Sequence, residues 1–260
     1  MIAAAPQCTN VYAQLTRKET KVSEQNQGRT VVVTGANRGI GYAIAEAFVA
    51  AGDRVAGITR SGDVPPGVFS ARADITDQDS VNTAFASIEE ELGPVQVLVA
   101  NAGMNRDMLM LRMSEDDFAD VIDVNLTGTF RCVKAVTKSM IRQRAGRIIL
   151  ISSVVGLYGS PGQVNYASAK SGLVGMARSI TRELGGRGIT ANVVAPGYID
   201  TAMTAELPQD TKDQYRRAIP AGRFGDVADV AEAVTFLAGP NAGYISGAVL
   251  PVDGGLGMGH

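Results

Sequence analysis

Short apolar runs rich in β-branched residues alternate with helix-like segments along most of the chain, and this alternation constrains the fold more than any other feature. Runs of this kind predict strands that are buried on both faces, as in a parallel sheet. The segments between them predict the helices that cover those faces, which gives an α/β fold in one doubly wound domain. The predicted strands are residues 30–34, 54–59, 96–100, 147–152, 190–194 and 248–252.

A glycine-rich turn follows the first predicted strand and leads into a helix-like run at residues 42–51. Residues 34–41 read TGANRGIG, so Gly35, Gly39 and Gly41 are spaced as G-x-x-x-G-x-G. Because glycine has no side chain, the backbone of the turn can approach a pyrophosphate closely. The N-terminus of the following helix offers free N–H groups and a positive dipole end. The turn therefore predicts a dinucleotide site in a Rossmann-type, single-domain parallel sheet with helices on both faces, although taken alone it could be a tight connection.

Tyr166 and Lys170 are four residues apart in a helix-like segment, so their side chains share one helix face. A fixed cation beside a phenol favours the phenolate and lowers a pKa that is normally about 10. Tyr166 is therefore predicted to give or take a proton near neutral pH. An isolated Tyr-x-x-x-Lys pair is most often a surface pair, and this one gains its meaning from residues upstream.

Ser153 directly follows the apolar run at residues 147–152 and precedes Tyr166 by thirteen residues. Ligands of open α/β sheets bind beyond the carboxyl ends of the strands, where we expect this serine to lie. The alternative is that its hydroxyl only caps the next turn. Asn125, in the segment NLTG, is the remaining polar candidate, and the residues alone are equally consistent with an ordinary amide inside a helix.

These motifs together resemble the short-chain dehydrogenase/reductase superfamily over roughly residues 29–256. One departure is Ala100, where the family often has an asparagine, and it affects a turn near the adenine side. Within the superfamily, residues 101–107, 112–113, 153–156, 244–247 and 251–255 are similar to the 3-oxoacyl-[acyl-carrier-protein] reductases, and the tail at residues 257–260 is similar to the actinobacterial form of that enzyme. The superfamily marks are TGANRGIG at 34–41, NAG at 101–103, Asn125, Ser153, Tyr166, Lys170 and PGYIDT at 196–201.

The resemblance implies a catalytic set in which Tyr166 protonates a ketone oxygen and Ser153 hydrogen-bonds that oxygen. It also implies that Lys170 lowers the pKa of Tyr166 and grips the nicotinamide ribose. Asn125 corresponds to the family residue that holds a water between Lys170 and solvent.

The resemblance further implies a set of cofactor-binding residues. Among them Asp74 corresponds to the residue near the adenine, and Ile199 and Thr201 correspond to the residues that hold the carboxamide. The full set is Gly35, Asn37, Arg38, Gly39, Ile40, Gly41, Arg60, Asp74, Ile75, Asn101, Ala102, Gly103, Tyr166, Lys170, Pro196, Gly197, Ile199 and Thr201.

Arg60 follows the second predicted strand, where the ribose of the adenosine half should lie. An NAD-preferring site usually has an acidic residue there, whereas Asp53 lies at the opposite end of this strand. Guanidinium groups suit a phosphate because they stay charged and present paired donors, and Arg38 is close by in the glycine turn. We therefore predict NADPH as the cofactor; the alternative is that Arg60 is a solvated loop arginine.

Composition excludes several other classes. No apolar run approaches the ~20 residues of a membrane span, so no membrane partner is expected. Two cysteines, Cys8 and Cys132, cannot form a disulfide framework and favour a cytoplasmic location. The single histidine, His260, argues against a metal site and leaves a serine hydrolase without its base. A net charge of −2 and 5% aromatic residues, with no known binding motif, argue against nucleic acid.

Residues 1–28 differ from the rest of the chain, since they hold no apolar segment of the ~7–15 residues found in a secretory signal. Basic residues outnumber acidic ones before residue 22, as in a transit peptide, but we favour a disordered N-terminal extension or an upstream start codon. Residues 29–260 are then predicted to be a single NADP(H)-binding reductase domain.

No acidic residue lies between Asp123 and Glu183, whereas nine basic residues do. Lys134, Lys138 and Arg142 recur every four residues and form a basic stripe on one helix face. Such a surface would steer an acidic carrier protein, and the resemblance implies that the substrate is a 3-oxoacyl thioester on acyl carrier protein. The alternative is a solvated flank of helices that pack against other subunits, and the resemblance implies a homo-oligomer, in particular a homotetramer.

The predicted function is NADPH-dependent reduction of 3-oxoacyl-[acyl-carrier-protein] in fatty acid synthesis. Residues 202–224 are predicted to form a mobile lid over the acyl group, and residues 156–164 the loop facing it. One alternative is another short-chain reductase, acting on a simple ketone, acetoacetyl-CoA or a polyketide. A more distant alternative is a catalytically silent NADPH-binding sensor or scaffold.

Overall fold

The computed structural model describes residues 28–201, 204 and 208–258. Within them, seven strands form one sheet in the order β3-β2-β1-β4-β5-β6-β7, and all neighbouring pairs are parallel. This order confirms the predicted doubly wound α/β fold. The strands are β1 (Thr30–Thr34), β2 (Arg54–Thr59), β3 (Phe69–Arg72), β4 (Val95–Ala100), β5 (Gly146–Ile151), β6 (Ile189–Pro196) and β7 (Val249–Val252).

Helices connect successive strands and cover both faces of the sheet. The α-helices are α1 (Gly39–Ala50), α2 (Gln78–Leu92), α3 (Glu115–Ile122), α4 (Thr129–Gln143), α5 (Val155–Tyr158), α6 (Val164–Leu184), α7 (Gln209–Ala218) and α8 (Val227–Ala238). A π-helical turn (Asp123–Gly128) joins α3 to α4, and short 3₁₀ turns occupy Met110–Arg112, Gly185–Arg187 and Pro240–Ala242.

The two faces of the sheet bury different side chains of the same strands. In β1, Val31 and Val33 belong to the core that includes Phe48 of α1 and Val234 of α8. Val32, between them, belongs to the opposite core, formed with α2, α4 and α6. This period of two within a wholly buried strand explains why the sequence shows a continuous apolar run rather than an alternating one.

The predicted strands match the observed ones to within two residues, but β3 was not predicted. Its sequence, FSAR, is short and lies at the edge of the sheet, where only Ala71 is buried. A strand of this kind has neither an apolar run nor a clear alternation. The omission matters because Arg72, the last residue of β3, lines a cavity at the carboxyl ends of the strands.

Several predictions fall on residues outside the described part of the chain. The predicted extension does so at residues 1–27, and the predicted lid does so at 202, 203 and 205–207. The rest of the lid contains α7, whose Tyr215 stacks on Tyr198 with ring centroids 4.1 Å apart. The predicted loop at 156–164 begins inside α5, so its first part is helical.

Two features are absent from the part of the chain that the structure describes. None of the described helices is long and apolar enough to cross a membrane. In the same part of the chain, no three acidic, histidine or cysteine side chains are grouped as a metal ion would require. Cys132 is a buried free thiol whose pKa burial raises to about 12, as expected of a packed small hydrophobic residue.

Candidate active site

The glycine turn lies where the strand order reverses, between β1 and its neighbours β2 and β4. Gly35 and Gly39 have positive φ angles of 69° and 56°, a conformation that residues with side chains rarely adopt. A Cβ atom at Gly41 would overlap the carbonyl oxygen of Gly35 and the amide of Asn101. These glycines therefore let β1, α1 and the end of β4 approach closely, at the crevice where such sheets bind ligands.

The start of α1 is built to accept an anion. Its first turn has neither a side-chain cap nor an acidic residue, so its backbone N–H groups have no partner from a side chain. A Cβ atom at Gly39 would meet only Thr201 Cγ2 within 4 Å, at 3.7 Å, so the space beside this glycine is open. Asn37 and Arg38 are exposed next to it, and Ile40 packs against the core. This arrangement fits the pyrophosphate of a dinucleotide.

Asn101 and Ala102 join the end of β4 to the end of β1. Their backbone N–H groups donate to Thr34 Oγ1 at 3.0 and 2.9 Å, respectively. Asn101 Nδ2 donates to the carbonyl oxygens of Thr34 and Gly35 at 3.0 and 3.3 Å. The Nδ2 group of Asn101 is thus committed to holding the turn in shape.

Residues 196–201 extend from the carboxyl end of β6 on the other side of the glycine turn. Pro196 is buried at the end of the strand, and Gly197 N donates to Val252 O at 3.0 Å. Ile199 is buried and forms a β-bridge with Gly225. Because Thr201 approaches Gly39, this segment lies where the nicotinamide half of a dinucleotide bound to the turn would extend.

Tyr166 and Lys170 lie on one face of α6, as predicted. Lys170 Nζ is 5.5 Å from the centroid of the Tyr166 ring. It donates a 2.8 Å hydrogen bond to the carbonyl oxygen of Ile151, at the end of β5. Lys170 is only 4% exposed and forms no ion pair with any described carboxylate. The strand therefore fixes the ammonium group beside the tyrosine.

The spacing of Tyr166 and Lys170 predicts that the lysine lowers the pKa of the tyrosine towards neutrality. In the structure the pKa of Tyr166 is raised instead, so this prediction is wrong. Burial raises the pKa of Tyr166 to about 12, a hydrogen bond with Ser153 opposes that rise, and the charge of Asp107 adds to it. Burial also lowers the pKa of Lys170 to about 8. The physical reason is that the two groups share a desolvated cleft, which disfavours phenolate and ammonium alike. Tyr166 therefore holds its proton throughout the neutral range.

Ser153 lies just beyond β5, and its hydroxyl opposes the rise in the pKa of Tyr166. Its Oγ accepts a 3.2 Å hydrogen bond from Val155 N at the start of α5. The hydroxyl therefore caps the turn, as the alternative interpretation expects, and its catalytic role stays a prediction. The neighbouring Ser152 Oγ donates to Lys170 O at 2.9 Å, which ties β5 to α6.

Asn125 is fully buried in the π-helical turn between α3 and α4. Its Oδ1 accepts from Met104 N and its Nδ2 donates to Met104 O, both at 2.8 Å. A Cβ atom at Gly103 would lie 2.8 Å from Asn125 Oδ1 and 3.5 Å from Lys170 Nζ, so both polar groups converge above this glycine. π-helical turns are frequent at functional sites, and here the turn brings Asn125 to the lysine.

Asn165, which the sequence did not single out, positions the tyrosine. It is fully buried, and its Nδ2 donates to Arg106 O and Asp117 O at 3.0 Å each. Its Oδ1 accepts from Tyr166 N at 2.8 Å. The side chain therefore links α6 to α3 and to the loop after β4. A buried asparagine in the first turn of a helix has no sequence pattern that separates it from an ordinary N-terminal residue.

Arg60 and Asp74 line a cavity of about 500 Å³ at the carboxyl ends of β2 and β3, together with Arg72, Ala73 and Ser80. Thr76 donates to Asp74 Oδ1 from its backbone and its hydroxyl, which lowers the pKa of that carboxyl group; the charge of Arg60 contributes to the lowering. The cavity contains Arg60 and Asp74, the two residues predicted to lie near the adenosine half of the cofactor, and it adds Arg72. We call it the adenosine cavity after that prediction. The adjacent Ile75 is buried, and its carbonyl accepts a hydrogen bond from Arg131.

Comparisons with known proteins agree with this geometry. A family model described as enoyl-(acyl carrier protein) reductase matches residues 35–257. The 3-oxoacyl-[acyl-carrier-protein] reductase MabA of Mycobacterium avium is 53% identical over 232 residues, which cover 89% of this chain and 91% of that protein. MabA of Mycobacterium tuberculosis is 52% identical, with 89% and 94% covered. The 3-oxoacyl-[acyl-carrier-protein] reductase FabG of Salmonella typhimurium is 45% identical over 240 residues, with 89% and 98% covered.

Proposed function

Because the chain belongs to the short-chain dehydrogenase/reductase family of oxidoreductases, we propose that it reduces 3-oxoacyl groups on acyl carrier protein with NADPH, in fatty acid synthesis. The family relationship confirms the resemblance drawn from the motifs. The family uses a nicotinamide cofactor; the preference for NADPH and the carrier-bound substrate are parts of the proposal. The observation that carries it is the placing of Lys170 Nζ, which is hydrogen-bonded at the end of β5 and lies 5.5 Å from the centroid of the Tyr166 ring.

The mechanism assigns each buried polar group a task in ketone reduction. When bound, NADPH supplies the hydride that adds to the ketone carbon. Negative charge then develops on the ketone oxygen, where Tyr166 donates its proton and Ser153 donates a hydrogen bond. Lys170 contributes a positive charge that stabilises the tyrosine once it has lost its proton. Asn125, next to Lys170, holds the water through which the proton is replaced.

The high pKa of Tyr166 sets the protonation state from which reduction starts in this assignment. Reduction requires a neutral phenol as the proton donor, and burial keeps that form at neutral pH. The phenolate left after the transfer is disfavoured by the same burial, so its proton must be replaced before the next turnover.

The alternative functions differ in what they require of these residues. A silent NADPH-binding sensor has no need of the Ser153, Tyr166 and Lys170 arrangement. A reductase of a simple ketone, of acetoacetyl-CoA or of a polyketide would use the same set, so only the substrate separates it from the proposed function. Enoyl reduction, which the description of the matching family model names, sends the hydride to the β-carbon and places the developing charge on the thioester oxygen of an enolate, so it too must be separated from the proposed function by the substrate.

The first experiment compares NADPH consumption with four substrates: acetoacetyl thioesters of acyl carrier protein and of CoA, a crotonyl thioester and a simple ketone. We expect the carrier-bound acetoacetyl thioester to give the highest kcat/KM. Preferential turnover of the CoA thioester or ketone would move the function to another short-chain reductase. Turnover of the crotonyl thioester alone would establish enoyl reduction, and no turnover with any substrate would favour the silent alternative.

The basic stripe supports the carrier as partner. Lys134, Lys138 and Arg142 are exposed on α4, and none of them pairs with a described carboxylate. Other members of the basic stretch are not available, since Lys170 is buried and Arg131 pairs with Asp123 at 2.9 Å. Unpaired surface cations raise the rate of encounter with an acidic protein.

Charge reversal tests the stripe directly. The double variant Lys138→Glu/Arg142→Glu should raise the KM for the carrier-bound substrate and leave the KM for a small thioester unchanged. Arg187→Glu is a matched control, because it reverses an exposed charge before β6, at the opposite end of the sheet from the site. An equal rise in both KM values would remove the argument for carrier docking.

Self-association and a cytoplasmic location complete the proposal. Large apolar side chains are exposed on separate elements, including Leu111 at 97%, Phe130 at 50% and Phe236 at 52%. Single exposed side chains do not define an interface by themselves, so the homotetramer is proposed from the family relationship. Light scattering of the purified protein tests this; a monomer at micromolar concentration would contradict it.

A further inference from the structure

Arg72 brings a second guanidinium group to the adenosine cavity. Thr59 at the end of β2 is paired in register with Arg72 at the end of β3, so the two parallel strands deliver Arg60 and Arg72 to the same edge. Arg72 Nε donates a 2.8 Å hydrogen bond to the backbone carbonyl of Arg60. This bond fixes the base of the Arg72 guanidinium and leaves its two terminal amino groups without a partner among the described residues.

The charges around the cavity are unbalanced. Neither Arg60 nor Arg72 forms an ion pair with a described carboxylate. The one carboxylate that lines the cavity belongs to Asp74, and it accepts two hydrogen bonds from Thr76. Two cations therefore share the cavity with one carboxylate, and an anion that carries more than one charge offsets the remaining repulsion between them.

We propose that Arg72 is a second anchor for the 2′-phosphate of NADPH, positioned beside Arg60 by its bond to the Arg60 backbone. The inference rests on the proposed use of NADPH and deepens it, because it assigns the cofactor preference to a pair of arginines. A phosphate monoester suits the pair, since it carries close to two negative charges at neutral pH and presents three acceptor oxygens. Arginine binds such oxygens through two parallel hydrogen bonds.

A purely structural role for Arg72 predicts a different behaviour. If its bond to Arg60 O only held the ends of β2 and β3 together, losing it would weaken every adenosine ligand equally. If Arg72 contacts the phosphate, its loss should weaken only ligands that carry the 2′-phosphate. Ligand pairs that differ by this one group therefore separate the two roles without any measurement of turnover.

The test is calorimetric titration with adenosine 2′,5′-bisphosphate and with adenosine 5′-monophosphate. Arg72→Gln should weaken the bisphosphate on the order of tenfold and leave the monophosphate within about twofold. Arg54→Gln is the matched control. Arg54, the first residue of β2, is likewise an exposed strand arginine, and its Nε donates to a backbone carbonyl, that of Gly28, at 2.7 Å. It lies at the opposite end of the strands from the cavity, so its loss should change neither affinity.

The outcomes distinguish this inference from the function on which it rests. Equal weakening of both ligands by Arg72→Gln, or weakening of neither, would overturn the role of Arg72 while leaving NADPH dependence intact. If the unaltered protein bound both ligands equally, NADPH preference itself would fail, and the inference with it. Arg72→Met carries the same expectation and replaces Arg72→Gln if thermal denaturation shows that the glutamine variant does not fold.

Discussion

The catalytic centre and the adenosine cavity lie along the same edge of the sheet, yet they are built in opposite ways. At the catalytic centre the polar groups are buried and paired: Lys170 with Ile151 O, and both ends of the Asn125 amide with Met104. In the adenosine cavity the arginines are exposed and have no acidic partner among the described residues. One region pairs its polar groups within the chain, whereas the other has cations that, on our proposal, the cofactor phosphate balances.

The difference follows from what each region must do. Proton donation needs groups held within a few tenths of an ångström, and only buried, hydrogen-bonded side chains achieve that precision. Cofactor discrimination needs only a difference in charge, which solvated arginines supply without a rigid frame. We therefore expect mutations at the catalytic centre to lower kcat. Mutations in the adenosine cavity, or added salt, should instead raise the Kd of NADPH.

The strongest test of this division is Tyr166→Phe. Removal of the proton donor should lower kcat by roughly 10²–10⁴-fold, the usual contribution of a positioned acid. The affinity for NADPH, measured by fluorescence titration, should stay within about twofold, because the ring and its packing are kept. Retained turnover would contradict the assignment of Tyr166, and lost NADPH binding would show that the two regions are not separable.

Gly103→Ala probes the precision of the catalytic centre without touching a catalytic group. The new Cβ would lie 2.8 Å from Asn125 Oδ1, so the amide must shift. A displacement of this kind should reduce kcat on the order of 100-fold. Gly175→Ala in α6 is the control, since nothing lies within 4 Å of its added Cβ. The control should keep full activity and gain about 1 kcal/mol of stability, seen as a higher Tm. Equal activity in both variants would mean that the centre tolerates movement.

The same contrast explains which parts of the structure the sequence could predict. Buried strands and glycine turns have residue patterns that follow from backbone geometry, so β1, β5 and the turn at residues 34–41 were predicted nearly to the residue. β3 has no such pattern, because an edge strand with one buried residue is held by its neighbour. Arg72 was missed together with it. Asn165 was missed because the carbonyl oxygens to which its Nδ2 donates, those of Arg106 and Asp117, lie 59 and 48 residues away in the sequence.

The pKa of Tyr166 shows a limit of another kind. The spacing of Tyr166 and Lys170 correctly predicts that they share a helix face, but spacing carries no information on desolvation. In the folded chain, desolvation is the largest influence on both groups, and it gives a pKa of about 12 for the tyrosine and about 8 for the lysine. A pairwise rule fails wherever burial acts on both members of the pair.

These values predict the pH dependence of ketone reduction. As pH rises through about 8, Lys170 loses its proton and its charge, so kcat/KM should fall towards a tenfold loss per pH unit. Tyr166 keeps its proton over this range and should add no second inflection. The measurement is the pH–rate profile, together with phenolate absorbance compared between the unaltered protein and Tyr166→Phe. A phenolate signal from Tyr166 near pH 8 would assign the inflection to the tyrosine and contradict the role of burial.

The smallest expected effect belongs to the exposed region. Raising the ionic strength from about 0.01 to 0.15 M shortens the Debye length from about 30 to about 8 Å and screens solvated charges. The Kd of NADPH should therefore rise several-fold, whereas that of NADH, which lacks the 2′-phosphate, should change far less. The value of kcat at saturating NADPH should stay constant, because the buried lysine and tyrosine are screened little. A fall in kcat parallel to the loss of affinity would show that salt reaches the catalytic centre too, and the contrast between a closed centre and an open cavity would then be false.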